Sequence, residues 1–573
     1  MSTTKVSRRD FVKTTCVSTL ALTIPRYLSA GNGTRPGTGS RPNIVLIMAD
    51  DMGFSDLGCY GGEIHTPNLD RLATNGVRFT QFYNTARCCP SRASLMTGLY
   101  AHQTGVGHMM GDYGVEGYRG DLNDRCVTIA EVLKKTGYAT YMSGKWHVTN
   151  TVGHWTGDDK LTSKHNWPRQ RGFDRFYGTI AGGGSYFDPV ALVRDNMPIE
   201  PETDAYYYTD AISDNAVRFI SDHVRYRAKE PFFCYVAYTA PHWPLHALPE
   251  DIARYKGRYD SGWDALRAER YRRMLEMGVI GPECTLTPRD VKAPPWEAAE
   301  DKEWQARRME VYAAQVDRMD QDIGRIVKCL TEIGKLDNTL ILFLSDNGGC
   351  AEELGPSSGS LSRSRTTTRD GRPVRGGNND HSIMPGPADT YQSYGLPWAN
   401  ASNTPFRRYK HWVHEGGIAT PLIVHWPEGI SDRGRFCKQP GHVIDIMATC
   451  VDIAGAHCPA EYDGRSILSV EGKTLRPVFE GRTREGHGAI FWEHEGNRAV
   501  RKGRWKLVSR YPGEWELYDI DTDRSELNDV AAKHPTLVNE LSTAYNRWAD
   551  RCHVEPWAQL MELRRKQRRR NRT

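Results

Sequence analysis

The amino-acid sequence predicts an α/β protein with a large, mostly parallel central sheet flanked by helices, followed by a smaller C-terminal antiparallel sheet with a helix. Three observations carry this expectation. Four apolar runs each end in a polar cluster, with helical stretches between them. The first run, at residues 42–48, is continuously apolar, as a strand buried on both faces requires. Beyond residue 485 the texture changes to short strands divided by turns.

Residues 42–48 lead into Asp50-Asp51, which places two carboxylates at a strand's carboxyl end. Ligand sites of open α/β sheets form there. Residues 128–135 read as a helix, and 138–143 as a strand ending at Gly144-Lys145-Trp146-His147. Residues 206–227 are helical, and 232–238 form a strand ending at Ala240-Pro241-His242. A helix over about 302–333 precedes a strand at 339–344, which runs out into Asp346-Asn347-Gly348-Gly349. Residues 350–405, rich in Gly, Ser, Pro and Arg, read as a long loop near the mouth of a site. Segments 489–492, 498–500, 505–508 and 516–518 are the short strands of the second sheet, and 535–549 its helix. The boundaries that follow are a main domain at 42–484, an α+β subdomain at 485–552 and a basic tail at 553–573.

Residues 1–30 have the order of an export signal. Ser7-Arg8-Arg9-Asp10-Phe11-Val12-Lys13 is a twin-arginine pattern, Cys16 to Ile24 is apolar, and Leu28-Ser29-Ala30 is a small-residue end. The apolar stretch is too short to span a bilayer. The expectation is a periplasmic or secreted protein, delivered by the twin-arginine export machinery, without a stable membrane anchor. Residues 31–41 form a linker rich in Gly, Thr, Pro and Ser.

Hydrophobic residues make up 39% of the chain and charged residues 25%, an ordinary globular composition. The net charge of +5 is uneven. Seven Lys or Arg crowd residues 564–573, and the export signal is also basic, so the body between them is net acidic. That excludes nucleic acid as a partner. The tail itself is expected to be disordered and solvated. The 13 cysteines show no Cys-x-x-Cys spacing, so a structural zinc site is not expected. Cys437, Cys450 and Cys458 permit a disulfide whose pairing sequence cannot choose.

Asp50, Asp51, Asp346 and Asn347 offer three carboxylates and an amide at strand ends. Such hard oxygen ligands suit Ca²⁺ or Mg²⁺ rather than zinc. In Cys88-Cys89-Pro90-Ser91-Arg92, Pro90 fits a helix's first turn and Gly98 its end. Cys88 then stands at a helix N-terminus, where free N–H groups and the helix dipole favour an anion. Arg92 adds a fixed cation.

Six motifs occur in one order: Asp50-Asp51; Cys88-x-Pro90-Ser91-Arg92 with Leu95-Met96-Thr97-Gly98; Gly144-Lys145-Trp146-His147; Thr239-Ala240-Pro241-His242; Asp346-Asn347-Gly348; and Lys410-x-x-x-His414-Glu415-Gly416-Gly417. From about residue 42 to 548 the sequence thereby resembles the formylglycine-dependent sulfatases (arylsulfatases) of the alkaline phosphatase superfamily. The resemblance implies an alkaline phosphatase-like fold and a sulfuric ester hydrolase acting on aryl or carbohydrate sulfates. It implies that a maturation enzyme oxidises Cys88 to formylglycine, whose hydrate is the nucleophile. One hydroxyl would attack sulfur, and deprotonation of the other would collapse the intermediate and expel sulfate. It makes Asp50, Asp51, the modified Cys88, Asp346 and Asn347 ligands of a divalent metal, and favours Ca²⁺ over Mg²⁺. Asp346 would also accept the nucleophile's proton. Arg92, Lys145 and Lys410 would neutralise the sulfate's charge, His242 would protonate the departing alkoxide, and His147 would act as base. Cys89 departs from the family, where Ser, Thr or Ala is commoner. Counted from Cys89, Pro and Arg fall at the wrong positions, so Cys88 is the expected carrier.

A phosphonate or phosphate ester hydrolase of the same superfamily is the nearest other reading, and a non-catalytic binder of sulfated glycans a further one. Specificity is expected from loops at 150–200, 245–300 and 350–405. Their Trp155, Trp167, Trp243 and Trp398 suit either stacking on a substrate or internal packing.

Overall fold

The computed structural model describes residues 41–151, 163–355, 365–375 and 378–570. The export signal, most of the linker and Trp155 lie outside the described residues. Strands β1 (Asn43–Ala49), β2 (Val77–Tyr83), β3 (Ala139–Gly144), β4 (Arg175–Thr179), β5 (Leu192–Arg194), β6 (Met197–Pro198), β7 (Phe232–Ala237), β8 (Thr339–Ser345), β9 (Ala419–His425), β10 (Arg435–Cys437) and β11 (Gly441–His442) form one sheet among the described residues. Its order is β10-β2-β9-β8-β1-β7-β3-β4-β5-β6, with β11 also on β2. The four strands expected from sequence are the adjacent centre, β8-β1-β7-β3, and all pair in parallel.

All seven residues of β1 are buried. Val45, Ile47 and Ala49 enter the core on one face, and Ile44, Leu46 and Met48 the core on the other. This alternation explains why the strand shows no polar face in the sequence. Each fully buried Ile or Leu contributes roughly 1.5–3 kcal/mol, so two filled faces make the central strands the firmest part of the molecule. The helices Tyr208–Arg227 and Lys302–Glu332 cover the first face. Helices Cys88–Thr97, Ile129–Lys135 and Ile444–Ile453 cover the second. The helix Ile129–Lys135 starts where Thr128 and Glu131 form a reciprocal capping box, and it ends in Lys134 and Lys135, which suit its dipole.

Seven strands of the large sheet were not read from the sequence: β2, β4, β5, β6, β9, β10 and β11. β2 and β9 pair antiparallel with a register shift between Phe79 and Phe82. Opposite it, Pro421 interrupts β9, and proline is tolerated in a sheet at such a bulge because it has no N–H to give the ladder.

The small sheet pairs Ile490–His494, Asn497–Lys502, Trp505–Ser509 and Glu516–Asp519 in sequence order, all antiparallel. Leu541, Tyr545 and Trp548 of helix Pro535–Arg551 pack with Val500, Leu507 and Leu517. A buried ion network ties this sheet to the large one. Lys506 Nζ donates to Glu415 Oε1 at 2.9 Å and lies 2.8 Å from Glu526 Oε1, while Arg524 Nε donates to Glu415 Oε2 at 2.9 Å.

The basic tail departs from expectation. It contains a helix, Trp557–Arg570, whose Leu560 is buried with Tyr113 and Tyr118. Leu560 and Met561 stand three and four residues after Trp557, on the same helix face, and together the three give the helix an apolar stripe that its charge count conceals. The twelve described cysteines are all unpaired, so Cys437, Cys450 and Cys458 form no disulfide with one another. No described helix is long and apolar enough to cross a membrane.

The loop after β1 is held from behind. Asp56 accepts from Gly53 N–H (2.8 Å), Tyr312 O–H (2.7 Å) and Arg270 Nη1 (2.6 Å), and Arg270 Nε also meets Glu63 Oε2 at 2.7 Å. Arg270 is fully buried. Arg270→Met leaves two buried carboxylates without their cation, and should cost about 3–5 kcal/mol. Thermal denaturation at pH 7 should show a fall in Tm of several degrees, against little change for the exposed Arg272→Met.

Candidate active site

Because β8, β1, β7 and β3 are parallel neighbours, their carboxyl ends open on one edge. That edge receives Asp346 and Asn347 from β8, Asp50 and Asp51 from β1, His242 from β7, and Lys145 and His147 from β3. The helix Cys88–Thr97 points its N-terminus into the same place. Arg87 is its extended N-cap, and Gly98 ends it at φ 67°, a left-handed turn that glycine makes without strain. Lys410 comes from the loop before Glu415. The candidate catalytic and metal-binding residues of the sequence are all buried here.

The contacts are specific. Arg92 Nε donates to Asp346 Oδ2 at 3.0 Å and Nη1 to the Lys145 carbonyl at 3.1 Å, while Nη2 lies 2.8 Å from Asp346 and 3.6 Å from Asp50. Lys145 Nζ donates to Asp50 Oδ2. Lys410 Nζ meets both Asp51 oxygens, at 2.8 and 2.9 Å, and Asn347 Nδ2 donates to Asp51 Oδ1 at 2.7 Å. His242 Nε2 faces Asp51 Oδ2 at 3.5 Å, and its Nδ1 lies 2.6 Å from the Trp243 carbonyl. A carbonyl can only accept, so Nδ1 carries the proton and Nε2 is the atom left for chemistry. Cys88, Cys89 and His147 place ligating atoms within 4.8 Å of one another.

Electrostatics follow from burial and crowding. Burial pushes Asp50 up, but Lys145, His242 and Arg92 outweigh it and hold the carboxyl below its usual range. Burial and the charge of Asp50 push Asp346 well up, against Arg92. Cys88 is held well below an ordinary thiol by its hydrogen bond from Cys89, with Lys145, His147 and Lys410 adding to this against burial. Burial, helped by Lys145, drops His147 to about 4, so at neutral pH it is uncharged and able to accept a proton. Burial also lowers His242, although Asp51 and Asp50 resist.

The donor set fits a hard divalent cation. Asp50 Oδ1 and Asn347 Oδ1 are both buried, and neither has a protein hydrogen-bond partner. Asp50, Asp51 and His242 bring ligating atoms within 4.8 Å of one another. Crowded carboxylates with spare oxygens are what Ca²⁺ or Mg²⁺ takes.

Three further residues escaped the sequence reading. A Cβ on Gly182 would sit 2.8 Å from His147 Nε2, and one on Gly183 2.7 Å from His242 Cε1. Only glycine lets this loop pass so close to both imidazoles, and the run Gly182-Gly183-Gly184 was the available signal. Glu352 accepts from Trp243 Nε1 at 2.9 Å and pairs with Arg87 at 2.8 Å. It thereby fixes the indole that packs on His242, with ring centroids 4.5 Å apart. Nothing in the loop sequence marks it. Trp167 and Trp398 are buried, donating to the carbonyls of Thr151 and Gln305, so they pack internally rather than face a substrate.

A strand-end site of acidic, amide and cationic groups around a helix N-terminus defines a hydrolase of anionic esters. The comparisons with known proteins narrow the class. The sulfatase family model matches residues 42–456, and a model described as N-sulphoglucosamine sulphohydrolase, C-terminal, matches 407–548. An uncharacterized sulfatase of Schizosaccharomyces pombe is 34% identical over 87% of this chain and 92% of that protein. An arylsulfatase of Klebsiella aerogenes is 32% identical over 79% of this chain and 95% of its own length. The crystal structure of Ps i-CgsB in complex with k-i-k-neocarrahexaose superposes with a TM-score of 0.62 at 26% identity, covering 89% of this chain and 93% of that one. The chain belongs to the sulfatase family, and it is a sulfuric ester hydrolase.

Proposed function

We propose that the chain releases sulfate from carbohydrate or aryl sulfate esters, with formylglycine made from Cys88 as the nucleophile. The observation that carries this reading is the position of Cys88. It stands at a helix N-terminus, beside His147 and the cations Lys145 and Lys410, and next to the cluster of spare oxygens. Asp50, Asp51, Asp346 and Asn347 would hold the cation, with calcium favoured over magnesium, and the modified residue 88 would join them. When bound, that ion supplies positive charge against the sulfate oxygens. Arg92, Lys145 and Lys410 line the same place and bind and orient the ester's anionic group. His242, when doubly protonated beside Asp51, would give its Nε2 proton to the departing oxygen, and His147 would take a proton from the nucleophile's second hydroxyl.

Cys88 is 1% exposed, so a maturation enzyme reaches it only before the domain closes. Carbohydrate is the favoured alcohol. Relatives include an N-acetylgalactosamine-6-sulfatase of Homo sapiens at 26% identity, and the Ps i-CgsB complex with k-i-k-neocarrahexaose has a similar fold. The twin-arginine pattern Ser7-Arg8-Arg9-Asp10-Phe11-Val12-Lys13 supports export by that machinery to the periplasm or beyond. A paired assay on an aryl sulfate and the matching aryl phosphate tests the reaction class. The expected result is a higher kcat/KM for the sulfate, and a faster phosphate reaction would overturn the assignment.

A further inference from the structure

A second ligand cluster lies beside the Cys88 helix and is made of different donors. His108 comes from an early loop, while His494 and Glu495 sit at the turn joining strands Ile490–His494 and Asn497–Lys502. Their ligating atoms lie within 4.8 Å of one another. His108 Nε2 is 2.7 Å from Glu495 Oε1, and His494 Nε2 is 3.7 Å from the same oxygen. His411 Nδ1 lies 2.9 Å from Glu495 Oε2. The rings of His108 and His494 are stacked at 5.4 Å.

His494 is the unexplained member. It is fully buried, and neither ring nitrogen has a hydrogen-bond partner. Leaving such a group unmatched costs about 1–3 kcal/mol, and buried polar groups are ordinarily satisfied. His108, by contrast, is already oriented. Its Nδ1 lies 3.0 Å from the Tyr113 hydroxyl, which leaves Nε2 toward the cluster. A hydrogen-bonded second nitrogen is the usual support of a metal-bound imidazole.

We propose that His108, His494 and Glu495 form a second metal site, for a borderline divalent cation of the zinc type, with His411 within reach as a fourth ligand. Two imidazoles and a carboxylate select such an ion, whereas the all-oxygen set at Asp50 selects a hard one. Tetrahedral bonds of about 2.0–2.1 Å put ligand atoms roughly 3.3 Å apart, and the observed 2.7 and 3.7 Å bracket that spacing. The site joins three segments that surround the reaction centre. His411 follows Lys410 directly, the charge of Glu495 bears on Arg87 next to Cys88, and His494 belongs to the small sheet. An ion held there positions these segments and takes no part in bond breaking.

The test is zinc binding to the full-length, calcium-saturated enzyme. Zinc-edge anomalous diffraction should show a peak between His108, His494 and Glu495. Calorimetric titration should give one zinc equivalent, with affinity at least about tenfold weaker in His494→Gln and in Glu495→Gln. Zinc should raise the Tm of the parent and not of the variants. His108→Gln, at the edge of the cluster, serves if His494→Gln does not fold. No anomalous peak at the cluster under saturating zinc, or equal zinc affinity in the parent and His108→Gln, would overturn the proposal. The readout is metal binding, so its failure leaves the sulfatase assignment standing.

Discussion

Cys88→Ala should lower kcat/KM toward an aryl sulfate by about 10⁴–10⁶-fold, the scale on which removal of a covalent nucleophile acts. The fold should survive. Position 88 opens a helix that alanine favours, and the helix keeps its Arg87 N-cap and its Gly98 stop. Circular dichroism and Tm should therefore change little while turnover vanishes. Cys89→Ser separates the two neighbouring thiols. Cys89 is fully buried, and its sulfur contacts Met109 Sδ at 3.8 Å rather than facing the carboxylates. It should retain activity within about tenfold, because a serine hydroxyl can give residue 88 the hydrogen bond that the Cys89 thiol gives. Equal losses in both variants would remove Cys88 from its assigned role.

His242→Ala should cost about 10²–10⁴-fold in kcat, and the loss should depend on the leaving group. An acidic phenol departs without a proton, so an activated aryl sulfate should sit at the low end. A sugar alkoxide needs one, so a monosaccharide sulfate should sit at the high end. The geometry supports this asymmetry. Nδ1 is committed to the Trp243 carbonyl, Nε2 faces Asp51 and the site, and Gly183 and Trp243 clamp the ring. Steady-state kinetics on the two substrates decides the matter. A loss of the same size on both would show that His242 orients the substrate rather than supplying a proton.

What could be read in advance divides along physical lines. β1, β3, β7 and β8 were legible because each is buried on both faces and therefore carries no charged and few polar residues. Each also ends where chemistry begins, so the site residues announced themselves as polar clusters after apolar runs. β2 and β9 were hidden by the bulge at Phe79–Phe82 and by Pro421, which break both periods at once. The helix Trp557–Arg570 was hidden by its own charge, since a count of Arg and Lys does not register an apolar stripe of three residues. Glu352 and the His108–His494–Glu495 cluster depend on residues more than a hundred positions apart meeting through the fold. No local pattern encodes such a meeting. The six ordered motifs succeeded because the backbone of the sheet, not the sequence distance, sets their spacing at the site.

In the proposed mechanism residue 88 works as an aldehyde and not as a thiol. Mass spectrometry of the intact peptide spanning Cys88, from protein made in its native host, tests it most directly. Conversion lowers the peptide mass by about 18 Da, and specific activity should rise in proportion to the converted fraction. A fully active preparation in which residue 88 is found only as the thiol would contradict the account.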